Sequence, residues 1–118
     1  SPFGTFGELA EAARAFGAAG ADALAINPVH ALFPGHGKGY SPYSPSSRLF
    51  LNGALADPEL AGLPPLPSEA GPPLIDWAEA LPRRLAQLRA VFAALDPARR
   101  AALITADDPM LRRHALFD

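Results

Sequence analysis

The order helix, glycine turn, apolar run over residues 5–28 restricts the fold more than any other feature of this chain. Thr5-Phe6-Gly7-Glu8 has the spacing of a capping box. The Thr5 hydroxyl can accept from the amide near Glu8 while the Glu8 carboxylate reaches back to the Thr5 amide. Leu9, Ala12, Ala13 and Phe16 follow at helical intervals, with Glu8, Glu11 and Arg14 largely off their face. The spacing predicts a helix over Phe6–Gly17, terminated by Gly17 or Gly20, since glycine takes up the left-handed backbone at a helix end. Ala23-Leu24-Ala25-Ile26 is then a short unbroken apolar run, stopped at Asn27-Pro28 by the loss of a backbone donor. Such a run reads as a buried strand. Helix, tight turn and buried strand make half of a βαβ unit. A parallel strand is therefore expected ahead of Ser1, and the chain reads as a piece of something larger.

Beyond the strand, Val29, Ala31, Leu32 and Phe33 form an apolar anchor ahead of a glycine-rich tip, Pro34-Gly35-His36-Gly37-Lys38-Gly39. The next segment, Tyr40 to Arg48, holds two tyrosines, two prolines and four serines. Proline fixes φ and biases its predecessor towards extended geometry, so this segment should be a stiff loop that holds its aromatic rings in place. Leu49 to Asn52 can add a short extended stretch. From Asp57 to Pro73 the proline and glycine content rises, including Leu63-Pro64-Pro65-Leu66-Pro67. This reads as a surface connection, with a polyproline ligand for a partner module as the other possibility.

The remainder is expected to be mostly helical. Asp76-Trp77-Ala78-Glu79 repeats the capping-box spacing, and Pro82 should interrupt or restart the helix behind it. Leu85, Leu88, Phe92 and Leu95 form an apolar stripe. Asp96-Pro97 and Asp108-Pro109 each combine an N-cap residue with proline at the first helical position. Helices are thus expected over Leu81–Leu95, Pro97–Leu103 and Pro109–Phe117.

Composition and motifs exclude several classes of function. The formal net charge is -2, which leaves no electrostatic footprint for nucleic acid or for an anionic membrane. No apolar run approaches the roughly 20 residues that span a bilayer. No cationic start precedes an apolar stretch, so a signal peptide is not expected either. Cysteine is absent, which excludes thiolate metal sites and thiol catalysis and fits a reducing compartment. Of the three histidines, His30 and His36 share a loop but have no carboxylate at ligand spacing, and His114 is far away. Gly35-His36-Gly37-Lys38-Gly39 lacks the spacing and the Lys-Ser/Thr pair of a phosphate-binding loop. No Gly-x-Ser-x-Gly elbow presents a serine nucleophile. Asp22, Asp57, Glu59, Glu69, Asp76 and Glu79 all fall at expected caps, turns or helix surfaces. Glycoside chemistry needs two carboxyls flanking one bond, and the sequence places no such pair at a pocket.

The wording of the loop after the strand is distinctive. Asn27-Pro28-Val29-His30-Ala31-Leu32-Phe33-Pro34 and Ser41-Pro42-Tyr43-Ser44-Pro45-Ser46-Ser47-Arg48 closely resemble two stretches of the bacterial amylomaltases, the 4-α-glucanotransferases of glycoside hydrolase family 77. Those enzymes carry Asn-Pro-Leu-His-Ala-Leu-Phe-Pro and Ser-Pro-Tyr-Ser-Pro-Ser-Ser-Arg at similar separation. Gly4-Thr5-Phe6-Gly7-Glu8-Leu9 is similar to the family's Gly-Asp-Phe-Gly-Asp-Leu, with Thr5 in place of the acid. Leu74-Ile75-Asp76-Trp77 and the helix behind it loosely resemble a later segment. After Asn52 the family usually continues Pro-Leu-Tyr-Ile-Asp, where this chain has Gly53-Ala54-Leu55-Ala56-Asp57.

The resemblance implies an α/β fold, a fragment of a (β/α)8 barrel with one or two short parallel-type strands and a mostly helical C-terminal half. Residues 1–56 would be the barrel portion with its substrate loop, 57–75 the connection and 76–118 a helical subdomain segment. It also implies transfer of α-1,4-glucan segments between maltodextrins in the cytoplasm, with retention of configuration and without a cofactor. An aspartate nucleophile and a glutamate acid/base do that chemistry in the family, and neither is expected within this chain. Tyr43 resembles the tyrosine that stacks under the sugar at the cleaved bond, and Ser41 a hydroxyl contacting the same region. Tyr40, Asn27 and His30 read as packing or loop-bracing residues nearby, with support of the sugar-contacting side chains as the other possibility. Two other readings stay open: a non-catalytic glucan-binding relative, and a segment with no function of its own.

Overall fold

The computed structural model describes residues 3–33, 40–67, 74–104 and 108–117. Helix α1 spans Phe6–Ala18, one residue beyond the expected end. Its capping box is complete. Thr5 Oγ1 accepts from the Glu8 amide at 3.2 Å and the Thr5 amide donates to Glu8 Oε2 at 2.8 Å. The helix stops in a Schellman turn, in which Ala21 N–H donates to the Phe16 carbonyl and Gly20 N–H to that of Gly17. Gly20 makes the turn possible at φ +95°, a left-handed backbone costly for any residue with a Cβ.

Ala23–Ile26 forms no strand among the described residues. This corrects the expectation of a buried parallel strand. Strand geometry persists only where neighbouring backbone supplies the ladder, and none of the described segments pairs with this run. Leu24 is left 37% exposed and Ile26 49% exposed. The sheet that does form is small and antiparallel. Strand β1, His30–Ala31, pairs with β2, Ser47–Leu51. The register places His30 opposite Leu51 and Ala31 opposite Ser47, with an irregularity between them. Hydrogen bonds from Ser46 N–H to the Ala31 carbonyl (2.8 Å) and Asn52 N–H to the Val29 carbonyl (2.9 Å) close its two ends. The pairing thus ties the base of the proline- and serine-rich loop to the segment that follows Pro28.

Two short 3-10 turns come next, Gly53–Leu55 and Pro58–Ala61. The second begins the segment expected to be a loose connection, and Asp57 organises it. Asp57 Oδ1 accepts from the Glu59 amide at 3.1 Å, while Oδ2 accepts from the Thr5 hydroxyl at 3.3 Å. A Cβ at Gly7 would collide with that carboxylate, so glycine lets Asp57 reach the start of α1. Pro64, Pro65 and Pro67 are exposed, and the end of the connection lies outside the described residues.

Helix α2 runs unbroken over Trp77–Ala94, so Pro82 neither interrupts nor restarts it. At the sixth helical position Pro82 forfeits the bond to the Ala78 carbonyl, a local loss within the first two turns. Asp76 offsets this by accepting from the amides of Ala78 (3.0 Å) and Glu79 (3.4 Å). Leu81, beside the proline, is 2% exposed and packs with Phe3 and Ala54 in the core. Burying such a side chain contributes about 1.5–3 kcal/mol. Trp77 stacks on Phe3 at 5.2 Å between ring centroids and on Tyr40 at 6.3 Å. Arg84 is also buried, and its Nη2 donates to the Ala56 carbonyl at 2.8 Å, joining α2 to the first 3-10 turn. Helices α3 (Pro97–Leu103) and α4 (Pro109–Phe117) have the expected bounds and caps, with Asp96 accepting from Arg99 N–H and Asp108 from Met110 N–H. His114 of α4 stacks on Phe50 of β2 at 4.8 Å.

Candidate functional site

The loop carrying Ser41 and Tyr43 is built from its backbone outward. Ser44 N–H donates to the Ser41 carbonyl at 3.1 Å, which closes a four-residue turn with Pro42 and Tyr43 at its centre. No described residue other than glycine has a positive φ, so the turn is of type I rather than type II. Proline is favoured at its first central position because its ring presets φ. Ser41 Oγ accepts from the Tyr43 amide at 3.3 Å, a second local bond across the same turn. Behind the turn, Tyr40 anchors the loop by stacking on Trp77.

Ser41 and Tyr43 therefore lie together at a stiff turn. Both are solvent-exposed, and Tyr43 is 67% exposed. An exposed aromatic ring with little packing would ordinarily sample several rotamers. Here the phenol end is also held, because Tyr43 Oη donates to Asn27 Oδ1 at 2.8 Å. This bond links residues sixteen apart in sequence, from the end of the apolar run to the tip of the turn. The amino-acid order offers only a hint of it: an asparagine beside a proline where the apolar run stops. His30 sits in β1, paired opposite Leu51.

Behind the loop lies a cavity of about 630 Å³. Phe6, Leu9 and Ala12 of α1 form one wall, and Ile26, Pro28 and Leu32 contribute to another. Asn27 and Pro42 also line it, whereas Tyr43 does not. The turn thus has an apolar underside and a solvent-facing ring.

Six of the described carboxylates are engaged elsewhere. Asp57, Asp76, Asp96 and Asp108 serve as caps, Glu8 completes the α1 capping box, and Glu79 pairs with Arg83 at 3.2 Å. Glu8, Glu11, Asp57 and Glu59 share a groove of about 350 Å³ between α1 and the second 3-10 turn, together with Arg14 and Arg84. Among the described residues no three His, Asp or Glu side chains come together in a way that could hold a metal ion. The tip containing His36 and Lys38 lies outside the described residues, as does Glu69. No described helix is long and apolar enough to cross a membrane.

What the turn can do chemically follows from these contacts. It can present a flat aromatic face with a fixed phenol and an adjacent hydroxyl, which suits recognition of a ring having one apolar face and polar edges. Among the described residues it brings no acid or base to that face. No solved structure matches the chain. A family model does, that of the 4-alpha-glucanotransferases, over residues 2–118. The match takes in the helix with its capping box, the turn bearing Tyr43 and the helical half alike, and the chain therefore belongs to the 4-alpha-glucanotransferases of glycoside hydrolase family 77.

Proposed function

We propose that this chain is the substrate-loop portion of an active 4-alpha-glucanotransferase that transfers α-1,4-glucan segments between maltodextrins by a retaining double displacement. The observation that carries the reading is Tyr43, 67% exposed yet held at its phenol by Asn27 Oδ1, with its backbone amide bonded to Ser41 Oγ across the turn. A ring fixed in this way can cover the C–H face of a glucose unit without first losing much rotamer freedom. Ser41 Oγ lies at the same turn and can take a hydroxyl of that sugar. The nucleophile and the acid/base are carboxyls contributed by other parts of the protein, and this segment's part is to hold the glucose at the scissile bond.

In the same reading, residues 1–56 belong to a (β/α)8 barrel, 57–75 form the connection and 76–118 a helical subdomain, in a cytoplasmic enzyme that needs no cofactor. Support for the barrel comes from the apolar residues left uncovered. Leu24, Ile26 and Phe16 are 37%, 49% and 53% exposed, and neighbouring strands of such a barrel would cover apolar residues of this kind. The test is disproportionation of maltotriose by the full-length protein. Glucose together with longer maltodextrins is expected. Binding of maltodextrin without any such products would replace this proposal with a non-catalytic glucan-binding protein.

A further inference from the structure

We infer that Asn27 is a positioning residue for glucan recognition, acting through the phenol of Tyr43 rather than through the sugar's reacting atoms. The inference rests on the reading of Tyr43 as the sugar platform. A tyrosine ring turns about two side-chain torsions, and the local bond from its amide to Ser41 Oγ restrains neither. The bond to Asn27 is the only hydrogen bond or ring contact the Tyr43 side chain makes among the described residues. Its length, 2.8 Å, is that of a well-formed O–H···O bond. It therefore fixes where the phenol end sits, and with it the direction of the ring axis set by the first torsion. Because Oη lies on that axis, the bond leaves the turn of the ring about the second torsion to the sugar and the surrounding loop.

Asn27 is suited to this because its own backbone is restrained. Pro28 biases it away from helical geometry, and Val29 is tied to Asn52 at the end of the sheet. The opposite side of the turn is tied to β1 through Ser46 and Ala31. Tyr43 and Asn27 thus stand on two segments joined at their base by the antiparallel pair, and the phenol bond joins them again at the tip. An acceptor at position 27 holds the ring axis in place before any sugar arrives, which lowers the ordering cost of binding.

The test is kcat/KM for maltotriose transfer by the full-length protein carrying Asn27→Leu, Asn27→Asp, Tyr43→Phe, Tyr43→Ala and the Asn27→Leu/Tyr43→Phe pair. Asn27→Leu keeps the side chain's shape and removes the acceptor, while Tyr43→Phe removes the same bond from the other end. Each should lower kcat/KM by about three- to tenfold, and the pair should be no worse than either alone. Asn27→Asp keeps the acceptor oxygen and should restore most of the loss. A role confined to stability would instead lower the melting temperature and act independently of Tyr43. The inference is overturned if Asn27→Leu is silent while Tyr43→Ala is impaired, or if Asn27→Leu and Tyr43→Phe multiply. A silent Tyr43→Ala would overturn the platform reading itself, and the inference with it.

Discussion

Helix α1 is capped by Thr5 and Glu8 and helix α2 by Asp76, yet α2 buries Leu81 and Arg84 while α1 buries no residue at all. Both helices carry an apolar face. That of α2 meets Phe3, Ala54 and the aromatic stack, whereas that of α1 borders the cavity behind the Tyr43 loop. Capping is decided within four residues and succeeds in both helices. Burial depends on what the rest of the protein brings to the face, and here the two part company.

The largest effect that would sharpen this contrast is at Leu81. Leu81→Ala should cost about 2–5 kcal/mol in urea unfolding of the chain, because a fully enclosed side chain leaves a cavity. The same truncation at Leu9, which lines the α1 cavity, should cost clearly less. Equal costs at the two sites would break the comparison, since they would mean that the α1 face is covered in solution. Thr5→Ala should cost about 0.5–2 kcal/mol, the usual range for a lost N-cap, and it also removes the donor to Asp57. Gly7→Ala comes last, at about 1 kcal/mol. The new methyl displaces the Asp57 carboxylate, which outweighs the gain in helix propensity. In an Asp57→Ala background the same change should be neutral or stabilising. Persistence of the cost there would show that the close approach of Asp57 to Gly7 is not its cause.

The same division between local and non-local determinants governs what could be read from the amino-acid order. Thr5, Asp76, Asp96 and Asp108 announce their helices because a cap uses side chains and amides two or three residues apart. Asp57-Pro58 has the same form as Asp96-Pro97 and does start a 3-10 turn, a signal hidden by the prolines that follow it. Pro82 misleads because its cost falls near the helix start, where the Asp76 cap and the burial of Leu81 offset it. Ala23–Ile26 reads as a strand from its apolar run, but a strand is made by its neighbours, and none pairs with it among the described residues. At the candidate site, the segment holding Ser41-Pro42-Tyr43 is legible as a stiff loop. The Tyr43–Asn27 bond is not, because it depends on how the antiparallel pair brings two loops together.

That turn carries the central claim, that the chain serves a glucanotransferase by holding sugar against Tyr43. The most direct test is kcat/KM for maltotriose disproportionation by the full-length protein and by its Tyr43→Ala variant. Loss of an aromatic face covered by the sugar is expected to cost about 1.5–3 kcal/mol, or roughly ten- to a hundredfold in rate. A Tyr43→Ala enzyme as fast as the parent at every maltotriose concentration would contradict it.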